Sequence, residues 1–286
     1  MPRLLVVGHV TWDKRDGCDV LGGSASYASL AAVRLGWAAG ALTAAGADFE
    51  PARDLPGVSV FRTPSGATTR FENLYEEDGR RSQTLVARAD DVDLTVLPDD
   101  WREPDALLLG PIAGEVPPSA ATSFRAGLVG AIGQGWLRAV DPSGQISARE
   151  WPSPAQDLMG VHVLFLSEQD LPRTGLRPAD FLTFVPLVAY TRGWEGLTLF
   201  TRSGAHDVPS LPRQEVDPTG AGDVFAAAFL VRYNETDDPL EAAAFGACAA
   251  SCAVEGVSVS ALGDRAEVVR RLALRERLIE EGEWDE

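Results

Sequence analysis

The order of apolar and polar positions changes character twice along this chain. Leu4 to Val10 is a short, continuous apolar run with β-branched residues, which predicts a strand buried on both faces. Gly22-Gly23 then precedes an Ala-rich helix over about Ala25 to Leu35, closed by Gly36, and Ala41 to Ala45 reads as the next strand. A βαβ opening of this kind implies a parallel sheet with a right-handed crossover. From Val58 the pattern alternates instead, over Val58 to Arg62, Thr68 to Glu76 and Arg81 to Ala87, with a turn at Glu77-Asp78-Gly79-Arg80. Alternation predicts a sheet covered on one face only, an antiparallel flap beside the main sheet.

The α/β rhythm then returns. Strands are predicted at Ala106 to Leu109, Trp136 to Val140, Val161 to Leu166 and Leu187 to Tyr190, with helices over Ser119 to Ile132 and near Pro178 to Phe184. Leu197 to Val208 reads as a hairpin turning at Ser203-Gly204. Three helices close the chain, over about Gly222 to Tyr233, Pro239 to Val254 and Arg265 to Glu280. The reading is a single α/β domain over residues 1–286 with a small antiparallel flap.

Composition adds exclusions. The net charge of -17 argues against nucleic acid and anionic membranes as partners. It does not exclude a phosphorylated ligand, because a metal ion and backbone donors reverse the sign inside a site. Part of the acidic excess lies in Glu280 to Glu286, read as a solvated tail. No apolar run reaches the roughly 18 residues of a membrane span. The first residues lead straight into a strand without a signal-peptide pattern, so a cytoplasmic location is expected. The three cysteines (Cys18, Cys248 and Cys252) form no CxxC; Cys248 and Cys252, four apart in an Ala-rich helix, read as small core residues. His9, His162 and His206 are scattered and read as core or surface residues.

The chemistry concentrates in Asp217-Pro218-Thr219-Gly220-Ala221-Gly222-Asp223, running into an apolar helix. Small residues at a helix start let an anion approach amides that have no intrahelical partner. The helix dipole adds to that attraction, so the segment is a phosphate cradle. An acid there would repel phosphate in a site that only binds. Asp223 makes sense as a base that takes a proton from a hydroxyl while that oxygen attacks a phosphoryl group. There is no Walker A string, no Gly-x-Gly-x-x-Gly and no Gly-x-Ser-x-Gly.

This string resembles the motif of the ribokinase-like, or phosphofructokinase B-type, carbohydrate kinases. Gly22 to Gly36 is similar to the family's Gly-Gly loop and following helix, and Gly8 to Asp13 to its first strand and substrate-binding Asp. Thr191-Arg192-Gly193-Trp194-Glu195-Gly196 is similar to its nucleotide segment. The resemblance runs in family order over essentially the whole chain. It implies a three-layer α/β/α fold with a mostly parallel sheet and a small β lid formed by about 11–21 and 58–90, and transfer of the γ-phosphate of ATP to an alcohol group. It also implies Asp223 as the base with Gly220, Ala221 and Gly222 as the anion hole. Asp13, Gly22, Gly23, Tyr27, Asn73 and Arg138 would face the acceptor. Thr191, Gly193, Gly196, Thr219, Gly220 and Gly222 would face the nucleotide.

Departures are informative. Where the family has Asn-x-x-Glu to organise Mg2+, this chain has Ser167-Glu168-Gln169-Asp170, which leaves Asp170 and Glu168 as the metal candidates. Tyr27 stands where ribokinases carry Asn, which argues against ribose. The Gly110 to Glu115 and Gln134 to Arg138 segments resemble the branch containing inositol kinases, with a nucleoside as the alternative acceptor. The altered Ser167 to Asp170 segment motivates a rival reading, a non-catalytic nucleotide- or polyol-binding relative. The family also implies a monovalent cation such as K+ beside Asp217 and Thr219. The flap's edge is the expected route to a homodimer.

Overall fold

The computed structural model describes residues 1–15, 17–75, 81–171 and 176–282. The turn expected at 77–80 and the acidic residues 283–286 lie outside them. In chain order the strands are β1 (Arg3–Val7), β2 (Thr11–Arg15), β3 (Cys18–Gly22), β4 (Ala38–Ala45), β5 (Val58–Pro64), β6 (Thr69–Tyr75), β7 (Arg81–Ala87), β8 (Ala106–Leu109) and β9 (Leu128–Ile132). They continue with β10 (Arg138–Val140), β11 (Ile146–Ala148), β12 (Val163–Ser167), β13 (Leu187–Thr191), β14 (Leu197–Thr201) and β15 (Gly204–Val208). The helices are α1 (Ser24–Arg34), the single turns α2 (Pro51–Asp54) and α3 (Pro154–Asp157), and the long α4 (Ala221–Thr236), α5 (Pro239–Ala253) and α6 (Arg265–Glu281).

Nine strands form the central sheet in the order β15-β14-β13-β12-β9-β8-β1-β4-β5. From β13 to β5 every pairing is parallel, and the β13–β14–β15 end is antiparallel. Parallel strands bury both faces. In β1, Leu4 and Val6 enter the core under α1, α4 and α5, whereas Leu5 and Val7 enter a second core on the opposite face.

That second face is where the helices expected from the sequence are missing. Residues 119–132 hold a short 3-10 segment (Pro118–Ser123) and then β9, not one helix. Pro178–Thr183 is likewise a 3-10 turn. Trp136, expected in a strand, ends the 3-10 turn Gly133–Trp136 ahead of β10. The reason is visible in the packing. Trp101, Phe124, Trp136, Trp151 and Phe181 cover this face, and bulky aromatics fill the layer with few backbone turns.

The lid is a four-stranded sheet in the order β3-β2-β6-β7. It differs from expectation in two ways. Val58–Pro64 is not part of it, because β5 pairs with β4 as the parallel edge of the main sheet. It is also mixed, since β2 and β6 run parallel. Alternating polarity marks a strand with one solvated face, and an edge strand of the main sheet meets that condition as well as a flap does. The lid edge β7 is met by the chain itself: the Leu85 amide donates to the Gly144 carbonyl at 2.8 Å and Thr84 bridges to Gln145.

His9 is a structural joint, as the sequence suggested. Its ring hydrogen-bonds Thr69 Oγ1 (2.8 Å) and the Asp90 carbonyl (2.9 Å), tying the start of β6 to the sheet. Cys248 and Cys252 are buried free thiols, and burial pushes them up to about 12 and about 11, so neither is a thiolate at neutral pH. Among the described residues, no helix is long and apolar enough to cross a membrane.

Candidate active site

The site lies beyond the carboxyl ends of the parallel strands, where open α/β sheets place their ligands. Gly220 caps α4 in the left-handed region at φ 80°. A Cβ there would overlap the Tyr27 ring, so only glycine permits both this turn and this approach. Val224 to Val231 are buried, which anchors the helix and fixes the position of its first turn.

The amides of that turn divide unequally. Ala221 N–H donates to the Pro218 carbonyl at 3.2 Å, so this member of the expected anion hole is already committed. The Val224 amide closes on the Gly220 carbonyl at 3.0 Å. The Gly220, Gly222 and Asp223 amides donate to no protein atom among the described residues. Those amides, at the positive end of a helix, have the chemistry to receive an anion.

Asp223 stands in the first turn of α4 at the cleft wall. Burial raises its carboxyl from 3.8 to about 6. The Arg138 guanidinium pulls it down, while Asp170 and Asp13 push it up. A carboxylate poised near 6 is matched to accepting a proton at neutral pH.

Two cavities meet here, sharing Arg15, Asp217 and Thr219 in their walls. The larger, about 1400 Å³, runs from Gln134, Arg138 and Asp223 past Asp170, Thr191 and Gly193 to Pro209, Leu211 and Arg213. Trp194 at its wall is 83% exposed. The smaller, about 160 Å³, is lined by Asp13, Val20, Tyr27, Asn73 and Thr219 among others.

Asp13 is buried on β2, and Thr11 Oγ1 donates to its Oδ1 at 2.8 Å. Gly22, opposite Thr11 on β3, leaves room for that pair, because a Cβ would lie 2.6 Å from Asp13 Oδ2 and from Thr11 Oγ1. Gly23, at φ 87°, caps α1 and passes against the His9 carbonyl. Burial pushes the Tyr27 phenol well above its usual range, and the charges of Asp13, Asp217 and Asp223 add to the effect. Tyr27 therefore stands among three of the site's carboxylates as a neutral, apolar wall. Arg138 Nη1 donates to Gln83 Oε1 of the lid at 3.0 Å, and its charge acts on Asp223.

The other expected residues separate. Thr191 and Gly193 line the large cleft, and nothing would obstruct a side chain at Gly193. Gly196 does not line it: φ 93° and close approach to the Val208 carbonyl make it a turn residue of the β13–β14 hairpin. Asp170 Oδ2 folds back onto Ser167, accepting from its amide and its hydroxyl at 2.8 Å each. Glu168 is exposed on the cleft wall. Arg15, Ser24 and Trp194 were not among the residues the motifs single out. Arg15 reaches the site only through lid docking, and Ser24 packs so near Gly110 that a Cβ on that glycine would lie 2.6 Å from the Ser24 Cβ. The one signal for Trp194 was its place inside the nucleotide-like segment.

Residues 163–264 match the family described as pfkB family carbohydrate kinase. The chain carries a pfkB carbohydrate kinase domain. It is 27% identical over 270 residues to a cytidine kinase of Thermococcus kodakarensis, covering 84% of this chain and 91% of that protein. It is 30% identical over 262 residues to an inositol 3-kinase of Oryza sativa subsp. japonica, covering 82% of this chain and 63% of that protein. Its fold is ribokinase-like. A pyrophosphate-dependent kinase in the ribokinase family, solved with a pyrophosphate analogue and myo-inositol, superposes with a TM-score of 0.79 at 21% identity over 93% of this chain and 99% of that one.

Proposed function

We propose that this pfkB-family chain transfers the γ-phosphate of ATP to a hydroxyl of a compact polyol, with Asp223 as the general base. One observation carries the reading. A carboxylate raised to about 6 lines the large cleft beside the uncommitted amides of Gly220 and Gly222, and that cleft shares Arg15, Asp217 and Thr219 with a small polar cavity.

In the reaction the acceptor hydroxyl gives its proton to Asp223 while its oxygen bonds to the γ-phosphorus. The bond from that phosphorus to the β-γ bridging oxygen breaks, and ADP leaves with its electron pair. The Gly220, Gly222 and Asp223 amides face the charge on the phosphoryl oxygens, and such pre-aimed donors lower the barrier without reorganising. Asp13, held by Thr11, accepts from acceptor hydroxyls, and a carboxylate's two oxygens suit neighbouring hydroxyls. The lid excludes water that would otherwise take the phosphoryl group.

The residues present fit Mg2+. That ion keeps several waters and takes one or two carboxylates together with substrate phosphates. Asp170 retains Oδ1 without a hydrogen-bond partner among the described residues, and Glu168 stands beside it in the cleft wall. Bound there, the ion would neutralise phosphate charge. No group of three or more His, Cys, Asp or Glu among the described residues forms a metal cage of its own.

The cavities support the choice of substrates. The acceptor cavity of about 160 Å³ is well below the roughly 300–1,000 Å³ of pockets for drug-sized ligands, which favours a compact polyol over a nucleoside. The donor cleft of about 1400 Å³ continues to Trp194, Pro209 and Leu211, far beyond what a pyrophosphate would occupy. The similarity to a cytidine kinase keeps a nucleoside acceptor as the second reading. The test is phosphoryl release from ATP, and separately from pyrophosphate, over a panel of inositols, sugars and nucleosides. ADP formed only with a polyol supports the proposal. ADP formed only with a nucleoside supports the second reading, and none with any acceptor refutes kinase activity.

A further inference from the structure

We propose that Arg15 is a positioning residue that couples the lid to the phosphate-binding turn, an inference that rests on the kinase reading above. Arg15 ends β2, a lid strand. Its guanidinium nevertheless reaches across to the body, where it ion-pairs with Asp217 and donates Nη2 to the Val216 carbonyl at 3.3 Å. It lines the donor cleft and the acceptor cavity alike.

Asp217 explains why this contact matters. Its side chain is 4% exposed, and its carboxylate shapes the turn that presents Gly220: Oδ1 accepts from the Thr219 amide at 3.0 Å and Oδ2 from the Ser258 amide at 3.5 Å. A carboxylate buried this far requires a counter-charge, because an unpaired charge in a dry site is costly. The ion-pair partner that the structure gives it comes from the lid, not from the body that holds the turn. The fork geometry of arginine lets one group satisfy both the carboxylate and the neighbouring carbonyl.

The other lid contacts do not act on this turn in the same way. Arg70 pairs with Asp19 inside the lid and with Asp48 outside it, and Ser258 Oγ donates to the Leu21 carbonyl; the Asp48 and Ser258 contacts seat the lid at its base and along its β3 edge. Among the described lid residues, Arg15 is the one that forms an ion pair with the phosphate-binding turn. Seating of the lid and ordering of the turn are therefore one event. An acceptor that holds the lid down through Asp13 and Asn73 also sets Arg15 on Asp217, and so prepares the amides for the donor. The consequence is positive coupling between acceptor and donor, and coupling of this kind spans about 5- to 150-fold in affinity.

The experiment compares the wild-type chain with Arg15→Met and Arg15→Lys. The apparent donor KM is measured as the acceptor is raised from low to saturating concentration, and backbone hydrogen exchange is followed at residues 11–15 and 216–223. In the wild type the donor KM is expected to fall about 5- to 150-fold over the titration. Arg15→Met should remove that dependence, Arg15→Lys should keep part of it, and free guanidinium at millimolar concentration should restore it to the Met variant. Exchange should rise in both segments of the Met variant even without substrate. A Met variant that keeps the full acceptor dependence, or whose 216–223 exchange equals wild type, overturns the proposal. If the wild type forms no ADP with any acceptor, the kinase reading fails, while the exchange comparison still decides whether Arg15 ties the turn to the lid.

Discussion

Replacing Asp223 by asparagine should impair turnover and stabilise the fold at the same time. In the folded chain burial raises this carboxyl from 3.8 to about 6. The folded state therefore holds the proton more tightly than the unfolded state does, and stability falls as pH rises through the window from about 4 to about 6. The cost is fully present above that window. At 1.36 kcal/mol per pH unit, the gap between 3.8 and about 6 amounts to about 3 kcal/mol as an upper bound. Water in the cleft screens part of it, which leaves about 1–3 kcal/mol to be recovered by Asp223→Asn at pH 7–8. Near pH 4 the wild-type carboxyl is largely protonated and the two proteins should be nearly equal. Urea denaturation at pH 4 to 8 measures this difference. Turnover in the ADP-release assay should fall about 10²- to 10⁴-fold, the usual contribution of a positioned base. The wild-type rate should itself decline below about pH 6, as the base becomes protonated. A stability difference that does not change with pH would refute the idea that Asp223 is held as a costly charge. Unchanged turnover would refute its role as the base.

The remaining predictions concern the walls of the two cavities. Gly22→Ala places a Cβ 2.6 Å from Asp13 Oδ2 and should raise the acceptor KM with little effect on donor KM, measured by varying each substrate in turn. Gly220→Ala strains a φ of 80° and meets the Tyr27 ring, so turnover should drop about 10²-fold as the cradle shifts and the melting temperature should fall. Trp194→Ala removes a side chain that is 83% exposed, so the melting temperature should hold while the KM for ATP rises several-fold; an unchanged KM would remove Trp194 from the donor site.

Much of the candidate site was legible because its chemistry is local. The run from Asp217 to Asp223 carries its own turn, helix start and carboxylate, and such a segment needs no distant partner to be recognised. The elements on the α1–α4–α5 face were legible for a similar reason: continuous apolar strands and Ala-rich helices bounded by glycine leave little choice. The hairpin role of Gly196 was not legible, because a glycine that serves a hairpin and one that serves a ligand look alike in sequence, and the approach to the Val208 carbonyl shows only in three dimensions. The bond from the Ala221 amide to the Pro218 carbonyl was not legible either, because it follows from backbone geometry that the side chain does not report.

By itself the sequence determined the parallel sheet, the glycine-lined helix start and the acid placed upon it, since each follows from periodicity and residue type within a dozen positions. Only the tertiary structure decided that Val58–Pro64 joins the main sheet, that aromatic side chains replace helices on the second face, and that Arg15 meets Asp217. Those outcomes depend on which surfaces are left to be covered once the chain has folded. Pairings across some 200 positions leave no trace in local pattern.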